Sequence, residues 1–224
     1  MIPGPKAAAK VVLYGVESSY SGDMAESIAR AGHELVAGVV TGELRIGLGG
    51  IPVIVTPDEI TPRLLQHAVA VVRHVPGQRK CKAEEAAGLG FEAFAQIVDP
   101  TAIVSQSAEL GRGVYVNALA AIGSRAELAD FVYIGSQSSI GHHTRLEDYC
   151  TVSPGDAIAS HCHIGRGVFI GAGVTIAPQV TIGPNSVIGA GATVIRDVVG
   201  NTIVAGNPSR TIREDIKGYM DAEV

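Results

Sequence analysis

An uninterrupted six-residue repeat of aliphatic side chains runs through the second half of the chain. Every sixth residue from 104 to 194 is Val, Leu or Ile, which makes sixteen positions in succession. Since these three types form about a quarter of the chain, chance would give such a run with odds on the order of one in a billion. The repeat consists of Val104, Leu110, Val116, Ile122, Leu128, Ile134, Ile140, Leu146, Val152, Ile158, Ile164, Ile170, Ile176, Ile182, Ile188 and Val194.

A second series follows the first at the same period. Four residues after every one of these aliphatics except Val152, the side chain is small or β-branched, as at Ala126, Ser138 and Cys162. This pattern is typical of a hexapeptide parallel β-helix, in which each hexapeptide forms one short strand and three strands form a triangular coil of about 18 residues. The composition agrees, because 28 glycines suit the corners, while four Phe, six Tyr and no Trp suit a narrow interior. We predict a prism of about five coils.

Residues 1–100 lack this period and alternate between strand and helix patterns. Strands are predicted at 11–15, 35–40, 53–55, 68–72 and 96–98, and helices at 22–31 and 82–89. Such alternation indicates a small parallel α/β sheet. We divide the chain into an α/β domain at 1–99, an all-β prism at 100–200 and a C-terminal segment at 201–224. In that last segment, residues 209–220 are predicted to form a short amphipathic helix.

Charge and cysteine content exclude several classes of protein. A net charge of −5 and a pI near 5.8 argue against a nucleic-acid-binding protein. The three cysteines show no CxxC spacing and cannot all pair, which favours a reducing, cytoplasmic compartment. Neither a signal peptide nor a membrane span is expected from the apolar runs.

Three motifs, together with the domain combination, resemble one family. They are IGHH at 140–143, TVSPG at 151–155 and AGNPSR at 205–210. The chain resembles the sugar O- and N-acyltransferases that join a small Rossmann-like domain to a left-handed β-helix, of the nucleotide 4-amino-sugar N-acetyltransferase and sialic acid O-acetyltransferase types. The resemblance implies a homotrimer that binds acetyl-CoA in the groove between adjacent β-helices. The hexapeptide pattern alone implies only the scaffold.

The resemblance identifies His142 as the general base, nine residues before TVSPG. Acetyl transfer from a thioester needs a base for the incoming amine or hydroxyl and a donor for the oxyanion, and histidine titrates in the right range. In the family an Asp or Glu usually follows and orients this histidine, whereas here the next residue is His143. We expect His142 to be the base and His143 to orient it or contact substrate. The 18-residue coil stacks Arg125, His143 and His161 in one column, and it stacks Ser124, His142 and Ser160 in the adjacent one.

For acetyl-CoA, the resemblance implies backbone amides and two turns. The amide of Ser160 is the expected oxyanion donor. The implied acetyl-CoA-binding residues are Ser160, Ala172, Pro178, Ala190, Asn207 and Pro208.

The nucleotide of a sugar substrate would bind at the loop after the first strand, near the N-terminus of a helix. In the family this loop reads close to GxGG, whereas here it is longer and contains Glu17. Nucleotide binding there stays an open alternative to its loss. Hydroxyls and amides of the loop could still hold phosphate. The candidate substrate-binding residues are Gly15, Ser18, Ser19, Gly22 and, in the prism, His161.

We predict no metal site. In the triplet at 161–163, Cys162 occupies an inward position while His161 and His163 point outward, so three ligands cannot converge. Asp156 is the one charged residue among the inward positions, and a buried carboxylate needs partners or a raised pKa. Either Ser138 satisfies it, or it reaches the histidines as the missing carboxylate.

The leading hypothesis is an acetyl-CoA-dependent N-acetyltransferase that acts on a nucleotide-linked amino sugar in surface-polysaccharide synthesis by direct attack on the thioester. Alternatives are O-acetylation of a free sugar such as sialic acid, and a non-catalytic trimeric scaffold. A zinc carbonic anhydrase on this fold is disfavoured because three histidine ligands are not evident. The sequence leaves open which sugar, nucleotide and acyl chain are used.

Overall fold

The computed structural model describes residues 8–43 and 50–224. Residues 1–7, which bear on the targeting prediction, lie outside these ranges. The N-terminal domain is a parallel four-stranded sheet in the order β3-β2-β1-β4. Its elements are β1 (Lys10–Tyr14), α1 (Ser21–Arg30), β2 (Glu34–Val39), β3 (Ile54–Val55), α2 (Pro62–Leu65), β4 (Ala68–Val71) and α3 (Pro76–Gly88), with a 3₁₀ turn at Pro57–Glu59.

The helices differ from the prediction in one main respect. Helix α3 begins at Pro76, six residues before the predicted start. A proline suits the first turn of a helix because its missing N–H has no intrahelical partner there. Within the described ranges, no helix is both long and apolar enough to cross a bilayer.

The prism is built from two-residue strands. In chain order they are β5 (Ile97–Val98), β6 (Ile103–Val104), β7 (Glu109–Leu110), β8 (Tyr115–Val116), β9 (Ala121–Ile122), β10 (Glu127–Leu128), β11 (Tyr133–Ile134), β12 (Ser139–Ile140), β13 (Arg145–Leu146), β14 (Thr151–Val152), β15 (Ala157–Ile158), β16 (His163–Ile164), β17 (Phe169–Ile170), β18 (Thr175–Ile176), β19 (Thr181–Ile182), β20 (Val187–Ile188) and β21 (Thr193–Val194). Strands β22 (Ile203–Ala205) and β23 (Arg210–Arg213) close its C-terminal end.

Three parallel faces form the triangle. An eight-stranded face runs in the order β23-β22-β20-β17-β14-β11-β8-β5, and only its pair β22–β23 is antiparallel. A six-stranded face contains β6, β9, β12, β15, β18 and β21, and a five-stranded face contains β7, β10, β13, β16 and β19. Each strand of the repeat pairs with the strand 18 residues away, as Ile140 does with Ile158. The predicted left-handed β-helix joined to an α/β domain is confirmed, and the sixteen predicted aliphatics each end a strand.

Near the domain ends, one predicted strand is present but lies in a different sheet, and one predicted helix is replaced by a strand. The strand at 96–98 was assigned to the α/β domain, but β5 pairs with β8 and is the first strand of the prism. The predicted amphipathic α-helix at 209–220 does not form; residues 210–213 instead form β23, antiparallel to β22, and a 3₁₀ turn follows at Tyr219–Asp221. The turn at 206–209 reverses the chain beside β22, and pairing with that edge outweighs the helical pattern of an exposed segment.

One face of the prism is covered by the rest of the chain. Outward residues of the eight-stranded face are buried, whereas those of the other two faces are mostly exposed. Tyr115 and Tyr133 pack with Val11, Leu13 and other apolar residues of the N-terminal domain. Further along, the C-terminal tail lies on the same face, where the ring of Tyr219 stacks on Phe169 with centroids 3.6 Å apart. We call the eight-stranded face the covered face.

A buried arginine joins α3 to the covered face. Arg79 is 2% exposed, and burial lowers its pKa to about 10, so that it remains charged at neutral pH. Its guanidinium donates to backbone carbonyls of both domains and to one hydroxyl. The acceptors are the carbonyls of Phe131 (2.8 Å), Arg73 (2.8 Å), His74 (3.1 Å), Tyr149 (2.7 Å) and Cys150 (3.0 Å), and Thr151 Oγ1 (3.0 Å).

We expect Arg79→Lys to destabilise the fold although it keeps the charge. An ammonium has three donors and cannot reproduce the planar fork, so several buried oxygens lose their partners. Because a hydrogen bond from a charged group contributes about 1.5–3 kcal/mol, we expect a loss of about 2–3 kcal/mol, or about 5–10 °C in Tm by differential scanning calorimetry. The exposed Arg63→Lys is the matched control. Equal Tm values for the two variants would contradict the role of Arg79.

Candidate active site

Three histidines meet at one corner of the prism. His142 and His143 lie between β12 of the six-stranded face and β13 of the five-stranded face, and His161 lies at the same corner one coil further on. Coil-to-coil hydrogen bonds fix this alignment, since His161 N donates to His142 O (3.1 Å) and His143 N to Ser124 O (3.0 Å). We call these three residues the histidine corner.

The rings of the histidine corner are in contact. Nδ1 of His142 lies 2.9 Å from Nδ1 of His143, a distance at which one ring donates a hydrogen bond to the other. The rings of His143 and His161 are stacked, with centroids 4.8 Å apart and planes 10° apart, and the ring of His142 stands at 90° to that of His161. All three side chains are exposed to solvent.

Neighbouring groups keep His143 neutral. Desolvation and the positive charges of His161, His142 and Arg125 lower its pKa. A neutral imidazole has one ring nitrogen that accepts a hydrogen bond, which a protonated one lacks. His143 is therefore suited to accept a hydrogen bond from the Nδ1–H of His142. The resemblance assigns this role to an Asp or Glu at the same position.

The backbone of this corner is unusual for its residue types. Arg125, His143, His161 and Gln179 have φ angles of 56°, 57°, 60° and 65°, a left-handed region that favours glycine. The residue just before His142 is a glycine. A Cβ at residue 141 would lie 2.5 Å from the backbone nitrogen of Ser160. The close approach of the next coil thus requires Gly141 and sets the height of Ser160 beside His142.

The predicted acetyl-CoA-binding residues border the six-stranded face. Ser160 and Pro178 continue the column of His142, and Ala172 and Ala190 lie on the opposite border of that face. The turn containing Asn207 and Pro208 is attached to its last strand, where Thr193 N donates to Gly206 O (3.0 Å) and Ser209 N to Thr193 O (2.9 Å). A cavity of about 510 Å³ lies beside this turn and is lined partly by Pro208.

The loop after β1 carries its own ion pair. Glu17 contacts Arg73 and accepts hydrogen bonds from Thr41 N (3.0 Å) and Thr41 Oγ1 (2.8 Å). Burial acts to raise the pKa of Glu17, but the Thr41 hydrogen bonds and the Arg73 charge lower it overall. The carboxylate thus stays ionised in the loop that was predicted to receive a phosphate.

The candidate phosphate-binding residues surround this ion pair. Arg73 Nη1 also donates to the carbonyl of Gly15 (2.5 Å), while Ser18, Ser19 and Gly22 lead into the first turn of α1, which contains the acidic Asp23. The structure therefore brings the four predicted residues to one helix N-terminus, but beside two acidic side chains.

The loop and the histidine corner lie on opposite sides of the chain. Tyr20 of the loop packs against Tyr133 of the covered face, with ring centroids 6.1 Å apart. The histidine corner joins the two other faces and so points away from the covered face. One chain therefore does not bring its own loop to its own histidines.

Comparison with known proteins agrees with this architecture. The family model for the bacterial transferase hexapeptide (six repeats) matches residues 161–196, and a search of curated proteins gave no significant match. The acetyltransferase domain of PglB from Neisseria gonorrhoeae, solved with acetyl coenzyme A, superposes with a TM-score of 0.83 at 26% identity, covering 92% of this chain and 100% of that one. The chain is therefore similar in fold to hexapeptide-repeat sugar acetyltransferases.

Two further solved structures are similar to this chain. PerB from Caulobacter crescentus, solved with CoA and GDP-perosamine, gives a TM-score of 0.82 at 27% identity over 93% of this chain and 99% of that one. WeeI from Acinetobacter baumannii shares the fold, with a TM-score of 0.68 at 20% identity over 90% of this chain and 99% of that one.

The structure adds a grouping of histidines that the sequence analysis did not consider. In the triplet at 161–163, Cys162 is buried and its two neighbours are exposed, as predicted, and His163 bonds to Glu147 (2.8 Å). However, three histidines do converge, from two successive coils. His142, His143 and His161 each have a possible ligand atom within 4.8 Å of the others. The triplet at 161–163 does not indicate this group, because His143 and His161 are 18 residues apart in the sequence and are brought together by the stacking of successive coils.

Both expectations for Asp156 were wrong. Its Oδ1 accepts from Val174 N (2.8 Å), while Oδ2 has no partner. Ser138 Oγ instead accepts from the backbone nitrogen of Asp156 (3.3 Å) and donates to Ser153 O (2.8 Å). The side chain is 1% exposed and lies next to the corner between the covered and six-stranded faces, not at the histidine corner. Burial raises its pKa to about 8.

Sequence reasoning missed Arg79 and the Glu17–Arg73 pair. The proline at residue 76 was the available signal for Arg79, because an earlier start of α3 would have placed this arginine in its first turn. No local pattern signals the second pair, since its members are 56 residues apart.

We expect the stability of the protein to depend on Asp156 and on pH. Its pKa rises from 3.8 to about 8 on folding, so the folded state holds the proton more tightly between these values. The contribution of Asp156 to the free energy of unfolding is thus fully present below about pH 4 and is lost as the pH rises to about 8. Asp156→Asn removes this contribution.

Urea unfolding between about pH 5 and pH 8 measures the effect. The stability of the Asn variant relative to the wild type should increase with pH. The exposed Asp58→Asn is the control and should follow the wild type. Parallel curves for the wild type and Asp156→Asn would show that Asp156 does not titrate in this range.

Proposed function

We propose that the chain transfers the acetyl group of acetyl-CoA to the amine of a nucleotide-linked amino sugar, with His142 as general base, in the cytoplasm and in the synthesis of a surface polysaccharide. The observation that carries the proposal is the His142–His143 contact at an open prism corner bordering the six-stranded face. Two matched structures support the substrates, because one contains acetyl coenzyme A and the other contains CoA with GDP-perosamine.

The geometry suits a base on His142. If its Nδ1–H donates to the neutral His143, then its Nε2 carries the lone pair and can take a proton from the sugar amine. The amine then attacks the thioester carbonyl, the oxyanion is held by the amide of Ser160, and the thiolate of CoA leaves. His142 returns the proton to the CoA sulfur, so that no covalent acyl-enzyme is required.

The six-stranded face suits a long cosubstrate arm. Its exposed outward side chains are small at Ala121, Ser139, Ala157 and Thr175, which leaves room for pantetheine or for the prism of a neighbouring chain. The predicted acetyl-CoA-binding residues border this strip on both sides and extend to the turn at 206–209. We propose that acetyl-CoA lies along it.

We propose a homotrimer, which the separation of the two sites supports. Because the loop after β1 faces away from the histidine corner of its own chain, a nucleotide bound at Gly15, Ser18, Ser19 and Gly22 would present its sugar to the histidine corner of a neighbour. His161, which stacks on His143, is the proposed contact for that sugar. Cyclic symmetry would then form three equivalent composite sites.

The Glu17–Arg73 pair favours a second candidate, O-acetylation of a free sugar such as sialic acid. An ionised carboxylate beside Asp23 repels phosphate, whereas a free sugar needs no such loop. Incubation with acetyl-CoA and either an amino-sugar nucleotide or free sialic acid, followed by mass spectrometry, separates the two reactions. An acetylated product that survives mild alkali is an amide, and one that does not is an ester. Failure to bind acetyl-CoA by calorimetry would favour a non-catalytic scaffold.

We expect His142→Gln to lower kcat by a factor on the order of 10²–10⁴, the usual contribution of a general base. His143→Ala should lower kcat less, whereas His143→Asp should retain activity because a carboxylate also accepts the Nδ1 proton. The control His163→Ala alters an exposed histidine paired with Glu147 and should be fully active. Steady-state kinetics across pH distinguish these cases, and full activity of His142→Gln would exclude it as the base.

We also expect two inactive chains to complement each other. Ser19→Glu adds a charge to the exposed loop, and His142→Gln removes the base of the other half-site. In trimers formed from equal amounts of the two variants, about a quarter of the sites would combine an unchanged loop from one chain with an unchanged His142 from its neighbour. Recovered activity supports sites shared between chains, while mixtures as inactive as their parents would contradict it.

A further inference from the structure

We propose that the histidine corner is a binding site for a divalent transition metal of the Zn²⁺ class, with His142, His143 and His161 as its three protein ligands. Such a site goes beyond the transferase activity and assigns a second function to the same corner. It is carried by the position of three imidazoles from two successive coils.

The distances fit three nitrogen ligands after small side-chain rotations. One ring nitrogen of each histidine lies within 4.8 Å of the others, and Nδ1 of His142 is 2.9 Å from Nδ1 of His143. Two ligands of a tetrahedral Zn²⁺, each at about 2.0–2.1 Å from the ion, stand about 3.3 Å apart. The Nδ1 atoms of His142 and His143 therefore need to move slightly apart. The ring nitrogen of His161 needs to move toward them by about 1.5 Å at most.

The backbone provides the rigidity that such a site needs. The coil-to-coil hydrogen bond from His161 N to His142 O (3.1 Å) holds the two levels together, while all three side chains are exposed and free to adjust their rings. Exposure also leaves the fourth position to water, which gives an open coordination sphere rather than a closed structural one.

The protonation state of the corner is compatible with a metal ion. Imidazole binds metal only in its neutral form, so the ion competes with protons for the three ring nitrogens. When the ion binds both Nδ1 atoms, the proton shared between them moves to an Nε2 atom through solvent, so both rings stay neutral. The Arg125 guanidinium is the one charge acting on His143 that opposes a cation, and it limits the affinity.

Metal binding would inhibit the transferase, a consequence that rests on the proposed function. An ion on Nδ1 of His142 displaces the orienting hydrogen bond to His143 and makes the imidazole a weaker base. The ion and the acceptor amine therefore compete for the same corner. Binding of the ion itself does not depend on the reaction.

Co²⁺ titration of the chelator-treated full-length protein tests the site. We expect one Co²⁺ per chain, visible absorption bands typical of four-coordinate Co²⁺, and their loss on addition of Zn²⁺. His161→Ala should weaken binding by at least about tenfold, since even partners of metal ligands contribute this much. His163→Ala, which removes a neighbouring exposed histidine, should bind as the wild type does.

Three outcomes would overturn the proposal: no stoichiometric Co²⁺ binding, unchanged affinity in His161→Ala, or an equal loss in His163→Ala, which would point to the Glu147–His163 pair. Circular dichroism of the variants checks that the fold is kept. In the activity assay, equimolar Zn²⁺ should abolish turnover and excess EDTA should restore it. A protein that binds Co²⁺ but acetylates no sugar would contradict the proposed function and leave the metal site standing.

Discussion

The hydrogen bonds between coils, repeated every 18 residues, are the constraint from which the remaining structure follows. They pair each strand with the equivalent strand of the next coil, as Arg145 pairs with His163 and Leu146 with Ile164. Once this register is fixed, residues 18 positions apart lie one above the other in a column. Functional side chains can then meet only within one column or between adjacent columns. The histidine corner is such a group, since the hydrogen bonds between coils bring residue 161 beside residues 142 and 143.

A prism has three faces, and this chain uses one of them to hold its N-terminal domain. Aromatic side chains, which cannot fit inside the triangle, lie on the outside of that face at Tyr115, Tyr133 and Phe169 and pack against the rest of the chain. Arg79 supplies the polar part of the same junction through buried carbonyls. Because the covered face is occupied, the opposite corner is the one that stays open, and it is there that the three histidines lie.

The prism could be predicted from sequence because its code is local and repeated. Each aliphatic of the repeat from Val104 to Val194 indicates the same inward position at the end of a strand. A wrong assignment at one position would therefore be corrected by the positions before and after it. The C-terminal segment has no such redundancy, and β23 depends on an edge offered by β22. The site divides in the same way. His142 carries a motif, whereas its contact with His161 depends on coil spacing, and the Glu17–Arg73 pair depends on the sheet that brings residues 56 positions apart together.

The left-handed corner offers a physical reason why a histidine can replace the usual carboxylate. A non-glycine residue there costs about 1–2 kcal/mol, yet Arg125, His143, His161 and Gln179 occupy it in four successive coils. Holding the side chains in a fixed column brings the rings of His143 and His161 into stacking contact, and desolvation together with the charges of His161, His142 and Arg125 lowers the pKa of His143. In the proposed mechanism a neutral acceptor orients His142 without adding a negative charge to the corner. A metal ion also requires neutral ring nitrogens, so having His143 in place of a carboxylate would link the proposed proton transfer and the proposed metal binding at one place.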